Sequence, residues 1–495
     1  MARPKNVLFI IADQFRADCI GATGNALIKT PNLDRLAAAG VAFTNCFVQT
    51  CPCGPSRACI FTSRYLCSTR SVDNMTPLMD AQDNLAMQLR IAGHRPYLSG
   101  YNDYAIDPRT LPEGHPSTRG LNYNNILPGF DLRLEHEYIS PSYLNLLRER
   151  GYPEDLLSKD GIYSHRIPPQ GAGEHLQCHY PAVYKAEDSE IQFQTEDAVR
   201  FVRQRREHGW VLSLNYLKPH PPLICAEPFH AMYDPETMPR ANRTQAELDD
   251  PHPYFQFMHR NPRLERDRHL REYRACYYGM ISELDTALGR LFDTLVETGE
   301  WDNTLIIFTS DHGEYLGDHW LTDKAHFYDE TMRVPLIIRD PSAEADATRG
   351  QVFDTFVESI DIAPTILEFM DIAPPARFMG RSVLSVVRGT TPPVHRHEIH
   401  FEFDYRNRID RQDAPDPDRC LLWVIRDASF KYVQFADESM PSLLFNLSAD
   451  PQEQHNVAED PRYAPDVVRY SQRMLRWRMK YEDQRMEHWA AQYRK

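Results

Sequence analysis

The sequence predicts an α/β fold with a mostly parallel central sheet and helices on both faces of that sheet. Residues 7–12 and 304–309 are continuous runs of β-prone apolar residues, the pattern of strands buried on both sides. A long amphipathic helix is predicted over 272–297, because apolar residues recur there at alternating spacings of four and three. Helices that alternate with buried strands are typical of a parallel sheet covered on both faces.

The other predicted elements continue this alternation along the chain. A proline begins the first helix, and glycines at positions 40 and 93 end the first two. Helices are predicted at 31–39, 83–92 and 190–206, and further strands at 96–99, 210–214 and 335–338. The chain therefore supplies at least five strands for one sheet.

The composition and the strand pattern change along the sequence and predict two structural domains. Residues 105–190 and 220–265 are rich in proline, glycine and tyrosine, and we interpret them as insertions that either wall a substrate pocket or decorate the surface. Beyond residue 389, short strand patterns and a terminal helix near 464–485 predict a small antiparallel sheet with a helix. We therefore expect a catalytic α/β domain over 1–389 and a smaller C-terminal subdomain over 390–495.

Charge and hydropathy exclude some classes of partner. The net charge of −15 disfavours nucleic acid, which needs a basic face, but a local cationic cluster can still hold a small anion. No segment reaches the apolar run of about 18 residues that a membrane helix needs. The run at 7–12 is too short for a signal peptide, so we expect no membrane partner and a cytoplasmic location.

Cysteine usage does not suggest a disulfide framework. Five of the ten cysteines lie between Cys46 and Cys67. In a reducing compartment such a group favours metal binding or catalysis over bridges, although each cysteine taken singly is more simply a small buried thiol.

Polar side chains follow four of the predicted strands at the edge where an open parallel sheet binds ligands. They are Asp13 and Gln14; Tyr101, Asn102 and Asp103; Lys218 and His220; and Asp311 and His312. Asp13, Gln14, Asp311 and His312 combine two carboxylates, an amide oxygen and an imidazole. This set predicts one divalent cation that prefers oxygen, namely Ca²⁺, Mg²⁺ or Mn²⁺. We interpret the polar residues at 313–319 as ordinary loop residues.

The most specific motif is Cys53-Gly54-Pro55-Ser56-Arg57. Cys-x-Pro-x-Arg resembles the signature of the sulfatase family, in which the cysteine is oxidised to formylglycine. Residues 62–64 resemble its continuation, with Ser63 in place of glycine. Residues 30–34, the second metal motif at 309–314 and a C-terminal signature at 444–456 also match, so the resemblance spans nearly the whole chain.

Within that family the chain resembles the cytosolic phosphonate monoester hydrolases and promiscuous arylsulfatases of the alkaline phosphatase superfamily. Gln14 and His312 mark this branch, and residues 72–74 and 218–222 also match it. The resemblance implies an alkaline phosphatase-like fold. It also implies a small anionic ester as substrate, a formylglycine-generating enzyme as maturation partner, and a homo-oligomer, either dimer or tetramer.

The resemblance also implies roles for individual residues. The metal would be held by Asp13, Gln14, the modified Cys53, Asp311 and His312. Arg57 would support the nucleophile, and Asn74, Tyr101, His220 and Lys324 would contact the substrate. Asp103 stands where the phosphonate hydrolases carry threonine, and a carboxylate there is expected to repel an anionic substrate.

The implied reaction uses the hydrated aldehyde, which carries two hydroxyl groups on one carbon. One hydroxyl attacks sulfur or phosphorus, and the second then restores the aldehyde and releases the acid. We expect substrates with one negative charge: sulfate monoesters, phosphonate monoesters or phosphate diesters. Phosphate monoesters carry nearly two charges at neutral pH and fit this expectation less well.

Two other functions stay open at this point. A two-metal phosphatase or phosphomutase of the same superfamily requires a serine or threonine nucleophile and a second carboxylate and histidine cluster. A non-enzymatic metal or thiol protein would use Cys46, Cys51, Cys53 and Cys59, but Cys-x-Cys is not the spacing of a structural zinc site.

Overall fold

The computed structural model describes residues 5–74, 76–114, 126–166, 175–205, 209–258, 260–392, 394–406 and 416–481. Eight strands form the main sheet: β1 (Asn6–Ala12), β2 (Val41–Phe47), β3 (Pro96–Gly100), β4 (Asp131–Glu135), β5 (Val211–Tyr216), β6 (Thr304–Thr309), β7 (Arg333–Arg339) and β8 (Gln351–Glu358). Four more form a second sheet: β9 (Glu398–Asp404), β10 (Leu421–Asp427), β11 (Phe430–Phe435) and β12 (Leu443–Asn446).

Thirteen α-helices are present in the described ranges. They are α1 (Pro31–Ala38), α2 (Cys53–Thr62), α3 (Leu66–Thr69), α4 (Leu85–Ile91), α5 (Pro141–Glu149), α6 (Lys159–Ile162), α7 (Glu190–Arg205), α8 (Ala246–Asp249), α9 (Asp267–Glu297), α10 (Asp329–Met332), α11 (Ile362–Phe369), α12 (Leu384–Val387) and α13 (Ala464–Lys480). The predicted helix positions 206 and 482–485, and the insertion segments 115–125 and 167–174, lie outside the described residues.

The main sheet has the order β4-β3-β5-β1-β6-β7-β2-β8. All neighbours are parallel except β7, which runs antiparallel to both β6 and β2. The predicted mostly parallel sheet is therefore confirmed. The strands β2 and β8 were not predicted, because Thr44 and Asn45 interrupt the apolar run of β2 and polar residues interrupt that of β8.

Apolar side chains cover both faces of the sheet, as predicted. Alternate residues of β1 enter two different clusters: Val7, Phe9 and Ile11 lie in one, and Leu8, Ile10 and Ala12 in the other. The first cluster includes residues of α2, α4 and α11, whereas the second includes α1, α7 and α9. This two-sided burial explains why β1 and β6 are apolar throughout.

The second sheet is antiparallel in the order β12-β11-β10-β9, and α13 packs on it through Tyr470 and Met474. This confirms the predicted small sheet with its helix. Phe401 and Val424 of this sheet belong to the same apolar cluster as one face of the main sheet. The domain division at residues 389 and 390 stays a prediction.

The first predicted insertion contributes to the main sheet, because β4 lies within residues 105–190 and pairs with β3 at the sheet edge. Its residues Tyr143, Leu147 and Ile162 form an apolar cluster that also includes Tyr101 and Leu217 from outside the insertion. Among the described helices, none is long and apolar enough to span a bilayer.

Candidate active site

Two neighbouring strands and one helix bring the predicted metal ligands together. Because β1 and β6 are adjacent and parallel, with Ile11 opposite Thr309, the residues that follow them meet at one edge of the sheet. The ligand atoms of Asp13, Cys53, Asp311 and His312 all lie within 4.8 Å of one another, and all four residues are buried.

Cys53 is the first residue of α2, so the positive end of the helix dipole lies at its side chain. Its Sγ atom is 3.0 Å from Nζ of Lys324, 3.2 Å from Nε2 of His312 and 3.7 Å from Oδ1 of Asp13. Burial raises the pKa of the Cys53 thiol well above its ordinary value, and Asp13 adds to this effect. The unmodified thiol is therefore protonated near neutral pH, which makes it a poor nucleophile.

Arg57 lies one helical turn beyond Cys53 and holds both aspartates. Its Nε donates to Oδ2 of Asp311 at 2.8 Å, and its Nη2 donates to Oδ2 of Asp13 at 3.1 Å. Its guanidinium also lies 4.3 Å from the ring centroid of Tyr101. Arg57 therefore occupies the Oδ2 atom of each carboxylate. The Oδ1 atoms are left on the side of Cys53 and Gln14.

Gln14 has its amide orientation fixed by two acidic residues. Its Nε2 donates to Oε2 of Glu314 and, at 3.1 Å, to Oδ1 of Asp323. Its Oε1 accepts a hydrogen bond of 3.1 Å from Nζ of Lys324. The amide oxygen that the sequence predicted as a ligand is thus presented beside Cys53. Glu314, which the sequence analysis interpreted as an ordinary loop residue, is 1% exposed and acts as a supporting residue.

His312 presents one nitrogen to the cluster. Its Nδ1 lies 3.0 Å from the carbonyl oxygen of Gly313, so the Nδ1 proton is donated there and Nε2 faces Cys53 and Asp13. Burial lowers the pKa of His312, which keeps the imidazole neutral. A neutral imidazole with its other nitrogen engaged is the form that binds metals.

This donor set fits one divalent cation. Two buried carboxylates, an amide oxygen and a neutral imidazole converge, and the adjacent carboxylates repel each other unless a cation neutralises them. Burial, reinforced by Asp13, raises the pKa of Asp311 above its ordinary value. In the described part of the chain the one other metal-ligating cluster contains His175, His179 and Glu272 and shares no residue with this one. A two-metal phosphatase needs a second cluster beside the first, and the described residues do not provide one.

Three of the predicted substrate contacts, Lys324, His220 and Asn74, lie near Cys53 and Asp13. Lys324 contacts Cys53. Burial, together with the nearby charge of Lys324, lowers the pKa of His220 to about 4. The Nδ1 atom of His220 is 2.6 Å from the carbonyl oxygen of Pro221. Asn74 lies beside the nucleophile position, since its Oδ1 accepts a 2.9 Å hydrogen bond from the backbone nitrogen of Gly54.

Tyr101 and Asp103 contact Arg57. The Tyr101 hydroxyl donates to Oδ2 of Asp13, and Oδ2 of Asp103 is 3.7 Å from Nε of Arg57. Burial raises the pKa of Asp103 well above its ordinary value, even though Arg57 acts to lower it. The expected repulsion of an anionic substrate assumed an ionised Asp103, whereas its surroundings favour the neutral acid.

Two further residues near the site have positions that the sequence did not reveal. Lys218 follows β5 as a polar strand exit, but its Nζ donates to Oε2 of Glu283 at 3.1 Å and to the hydroxyl of Tyr184. Tyr138, from the first insertion, lies edge-on to His220 with ring centroids 6.0 Å apart. This insertion therefore contributes a side chain next to the predicted substrate contacts.

Comparisons with known proteins find relatives that match nearly the whole chain. A family model described as Sulfatase matches residues 5–372, and one described as N-sulphoglucosamine sulphohydrolase, C-terminal, matches residues 317–480. The chain is 39% identical to a multifunctional alkaline phosphatase superfamily protein, PehA, of Trinickia caryophylli, with 98% of each chain covered. It is 27% identical to an arylsulfatase of Clostridium perfringens, with 92% of this chain and 91% of that one covered.

Two solved structures have closely similar folds. The phosphonate monoester hydrolase of Agrobacterium radiobacter superposes with a TM-score of 0.89 at 34% identity, covering 98% of this chain and 97% of that one. The phosphonate monoester hydrolase of Silicibacter pomeroyi also gives 0.89 at 34% identity, with 99% of both chains covered.

Proposed function

The chain belongs to the sulfatase family, and from this premise we propose that it hydrolyses sulfate monoesters, phosphonate monoesters and phosphate diesters with a formylglycine made from Cys53. One observation carries the proposal: the side chain of residue 53 begins α2 and lies between Lys324, His312 and Asp13. The nucleophile position, the predicted metal ligands and a cation for the substrate thus occupy one small volume.

A divalent cation would be held by Asp13, Gln14, modified residue 53, Asp311 and His312, where it would acidify a hydroxyl of residue 53 and neutralise charge on the ester. The chain prepares this position in three ways. Arg57 fixes the two carboxylates, Glu314 and Asp323 orient the amide of Gln14, and Gly313 sets the proton of His312 on Nδ1.

The remaining groups act on the ester. Lys324 lies 3.0 Å from Sγ of Cys53, so its ammonium can neutralise a non-bridging oxygen of a group attacked by residue 53. His220 holds its Nδ1 against Pro221, which leaves Nε2 to give a proton to the departing oxygen once an anion has raised its pKa. The second hydroxyl of residue 53 then restores the aldehyde and releases the acid, so no water attacks sulfur or phosphorus.

The substrate charge follows from the same side chains. The site offers one metal position, Lys324 and Arg57, while Arg57 is already paired with Asp13 and Asp311. This balance suits an ester with one negative charge better than a phosphate monoester, whose second pKa is about 6. Two of the relatives are an arylsulfatase and a phosphonate monoester hydrolase, and the esters in both names carry one negative charge, which supports this class.

We further propose a cytoplasmic enzyme that is matured by a formylglycine-generating enzyme and works as a dimer or tetramer. All ten cysteines lie within the described residues and none of them forms a disulfide, which suits a reducing compartment.

Peptide mass spectrometry of active protein, combined with a substrate panel, tests the proposal. We expect formylglycine at residue 53, turnover of an aryl sulfate, a phosphonate monoester and a phosphate diester, and slower turnover of a phosphate monoester. Cys53→Ser should abolish turnover, whereas Cys51→Ser, two residues earlier and outside the motif, should keep it. An unmodified thiol in fully active protein would contradict the proposed nucleophile, and a phosphate monoester hydrolysed fastest would contradict the charge argument.

A further inference from the structure

A second group of metal-ligating side chains lies outside the candidate active site. We propose that His175, His179 and Glu272 bind a second divalent ion of the zinc class, between the first insertion and α9. One ligand atom from each residue lies within 4.8 Å of the other two. None of the three contacts Asp13, Cys53, Asp311 or His312 in the described ranges, so the proposal does not depend on the proposed hydrolase function.

The three side chains are close enough to share one ion after a small rearrangement. The Nδ1 atom of His175 lies 2.6 Å from Oε1 of Glu272, and the rings of His175 and His179 are parallel with centroids 4.1 Å apart. Ligands at zinc distances of 2.0–2.2 Å in a tetrahedron lie about 3.3 Å apart. The site therefore forms by a small separation of His175 from Glu272 and a rotation of the two rings, since the lone pairs lie in the ring planes.

Glu272 is the preformed part of the site. Its side chain is 2% exposed, it belongs to α9, and its Oε2 accepts a 2.8 Å hydrogen bond from the backbone nitrogen of Leu176. A carboxylate held in this way needs little reorganisation to bind a cation. His175 is 25% exposed, so water can occupy the fourth position.

The chemistry of the donors favours zinc over the cations expected at the active site. Two imidazoles and one carboxylate suit Zn²⁺, Ni²⁺ or Cu²⁺, whereas Ca²⁺ and Mg²⁺ prefer oxygen ligands.

One neighbouring cation opposes metal binding. Nη2 of Arg268 lies 2.9 Å from Nε2 of His175, and Nε of Arg268 lies 3.4 Å from Oε1 of Glu272. The Arg268 side chain is 51% exposed, so it can turn into solvent when an ion binds. Removal of this guanidinium should therefore tighten metal binding, an effect that a purely structural role of the two histidines does not produce.

Three thiols lie close to the site and form the alternative ligand set. Cys178 precedes His179, and Sγ of Cys225 is 3.7 Å from Sγ of Cys276. Within the described residues these thiols do not bring three ligand atoms within 4.8 Å of one another. The histidine and glutamate set is therefore the better-formed site.

Equilibrium dialysis against Zn²⁺ followed by elemental analysis tests the proposal. We expect His179→Ala and His175→Ala each to lose one zinc per chain relative to the unsubstituted protein, while the divalent cation at the active site is retained. The control His455→Ala removes a histidine that is 72% exposed and should bind as much zinc as the unsubstituted protein. Arg268→Gln should bind the second zinc more tightly in a competition titration against a chelator.

Thermal unfolding in the presence of a chelator separates loss of a ligand from loss of the fold. Each variant should then unfold close to the unsubstituted protein, and only proteins that keep the site should be stabilised by added Zn²⁺. Full zinc content in both histidine variants would overturn the proposal. Loss of one zinc in Cys225→Ser with full content in His179→Ala would overturn it as well, by assigning the ion to the thiols.

Discussion

The Nζ atom of Lys324 lies 3.0 Å from Sγ of Cys53, although 271 positions of the chain separate the two residues. The same ammonium donates to Oε1 of Gln14, so one cation joins the nucleophile position to a predicted metal ligand. Lys324 is 6% exposed, and its charge therefore acts on the reaction space with little screening by solvent.

Lys324→Gln should lower kcat/KM for all three monoanionic ester classes by about 10²–10³, the range found when a charge-stabilising donor is removed. The reason is that glutamine keeps a polar side chain but cannot neutralise a substrate oxygen. Steady-state kinetics on formylglycine-containing protein measures the effect. Lys185→Gln, which alters a side chain that is 67% exposed, serves as the control and should be unchanged. Equal kinetics for both variants would exclude Lys324 from the site.

Changes in residues that support a metal ligand typically lower metal affinity about 10–100-fold. Asp311→Asn changes a predicted ligand itself and should weaken divalent cation binding by more than this. It removes a negative charge from the centre of the ligand cluster and weakens the contact with Nε of Arg57. Calorimetric titration of metal-free protein with Ca²⁺ or Mn²⁺ measures the affinity, with the surface variant Asp293→Asn as control. Full activity after chelation and dialysis would disprove the predicted metal dependence.

Glu314→Gln should lower the metal affinity about 10–100-fold although residue 314 is not a predicted ligand. Oε1 of Glu314 accepts from the backbone nitrogens of Leu316 and Asp323, and Oε2 accepts from Nε2 of Gln14. A glutamine must turn its NH₂ group towards Gln14, because the backbone donors cannot rotate. The amide of Gln14 then has to flip and presents nitrogen instead of oxygen to the metal.

The double variant Gln14→Glu with Glu314→Gln tests this explanation. A carboxylate at position 14 can accept from the new amide and still present an oxygen to the metal. The same calorimetric titration should show partial recovery of affinity. A double variant no better than Glu314→Gln would refute the amide-flip mechanism.

Asp103→Thr should shift the ratio of phosphonate to sulfate turnover, whereas Asp103→Asn should leave it near the original value. Burial raises the pKa of Asp103, so asparagine replaces a neutral group with one of similar shape. Threonine is shorter and leaves space beside Arg57, which Asp103 approaches to 3.7 Å. Paired kcat/KM measurements on one phosphonate and one sulfate decide the matter. If asparagine shifts the ratio as much as threonine, the charge of Asp103 controls substrate choice.

The free energy of unfolding should fall as the pH rises from about 6.5 to about 10, because His319 loses its proton over this range. Although burial acts to lower its pKa, Glu330 and Glu247 raise it to about 10 in the folded protein. The unfolded value is about 6.5, so the stabilisation is complete below that pH and is lost as the pH rises through the folded value. Urea unfolding at several pH values measures the slope.

His319→Gln should remove most of this slope. It should also cost roughly 3–5 kcal/mol at neutral pH, because it leaves two largely buried carboxylates without their partner. The exposed-histidine variant His455→Ala should keep the slope of the unsubstituted protein. A slope that survives in His319→Gln would assign the pH dependence to another group.

The sequence by itself determined the class of sheet and the position of the site. The apolar runs of β1 and β6 are local patterns, and strands buried on both faces must be apolar throughout. Because strands of this kind that alternate with helices mostly run parallel, as β1 and β6 do, Asp13 and Asp311 could be placed at one edge without knowledge of the rest of the fold. The Cys53 motif is equally local, since α2 starts at the cysteine and places Arg57 one turn later.

Only the tertiary structure decided how the side chains are oriented. Glu314 accepts from the amide of Gln14 and so orients it, Arg57 lies beside Asp103, and Lys218 points away from the site and donates to Glu283. Each of these contacts joins segments far apart in the chain, and hydrophobic periodicity reports only whether a residue is buried, not which distant group it meets. A buried polar side chain takes the direction in which its partner lies, because an unpaired polar group in the interior is costly. That direction is therefore fixed only when the whole chain has folded.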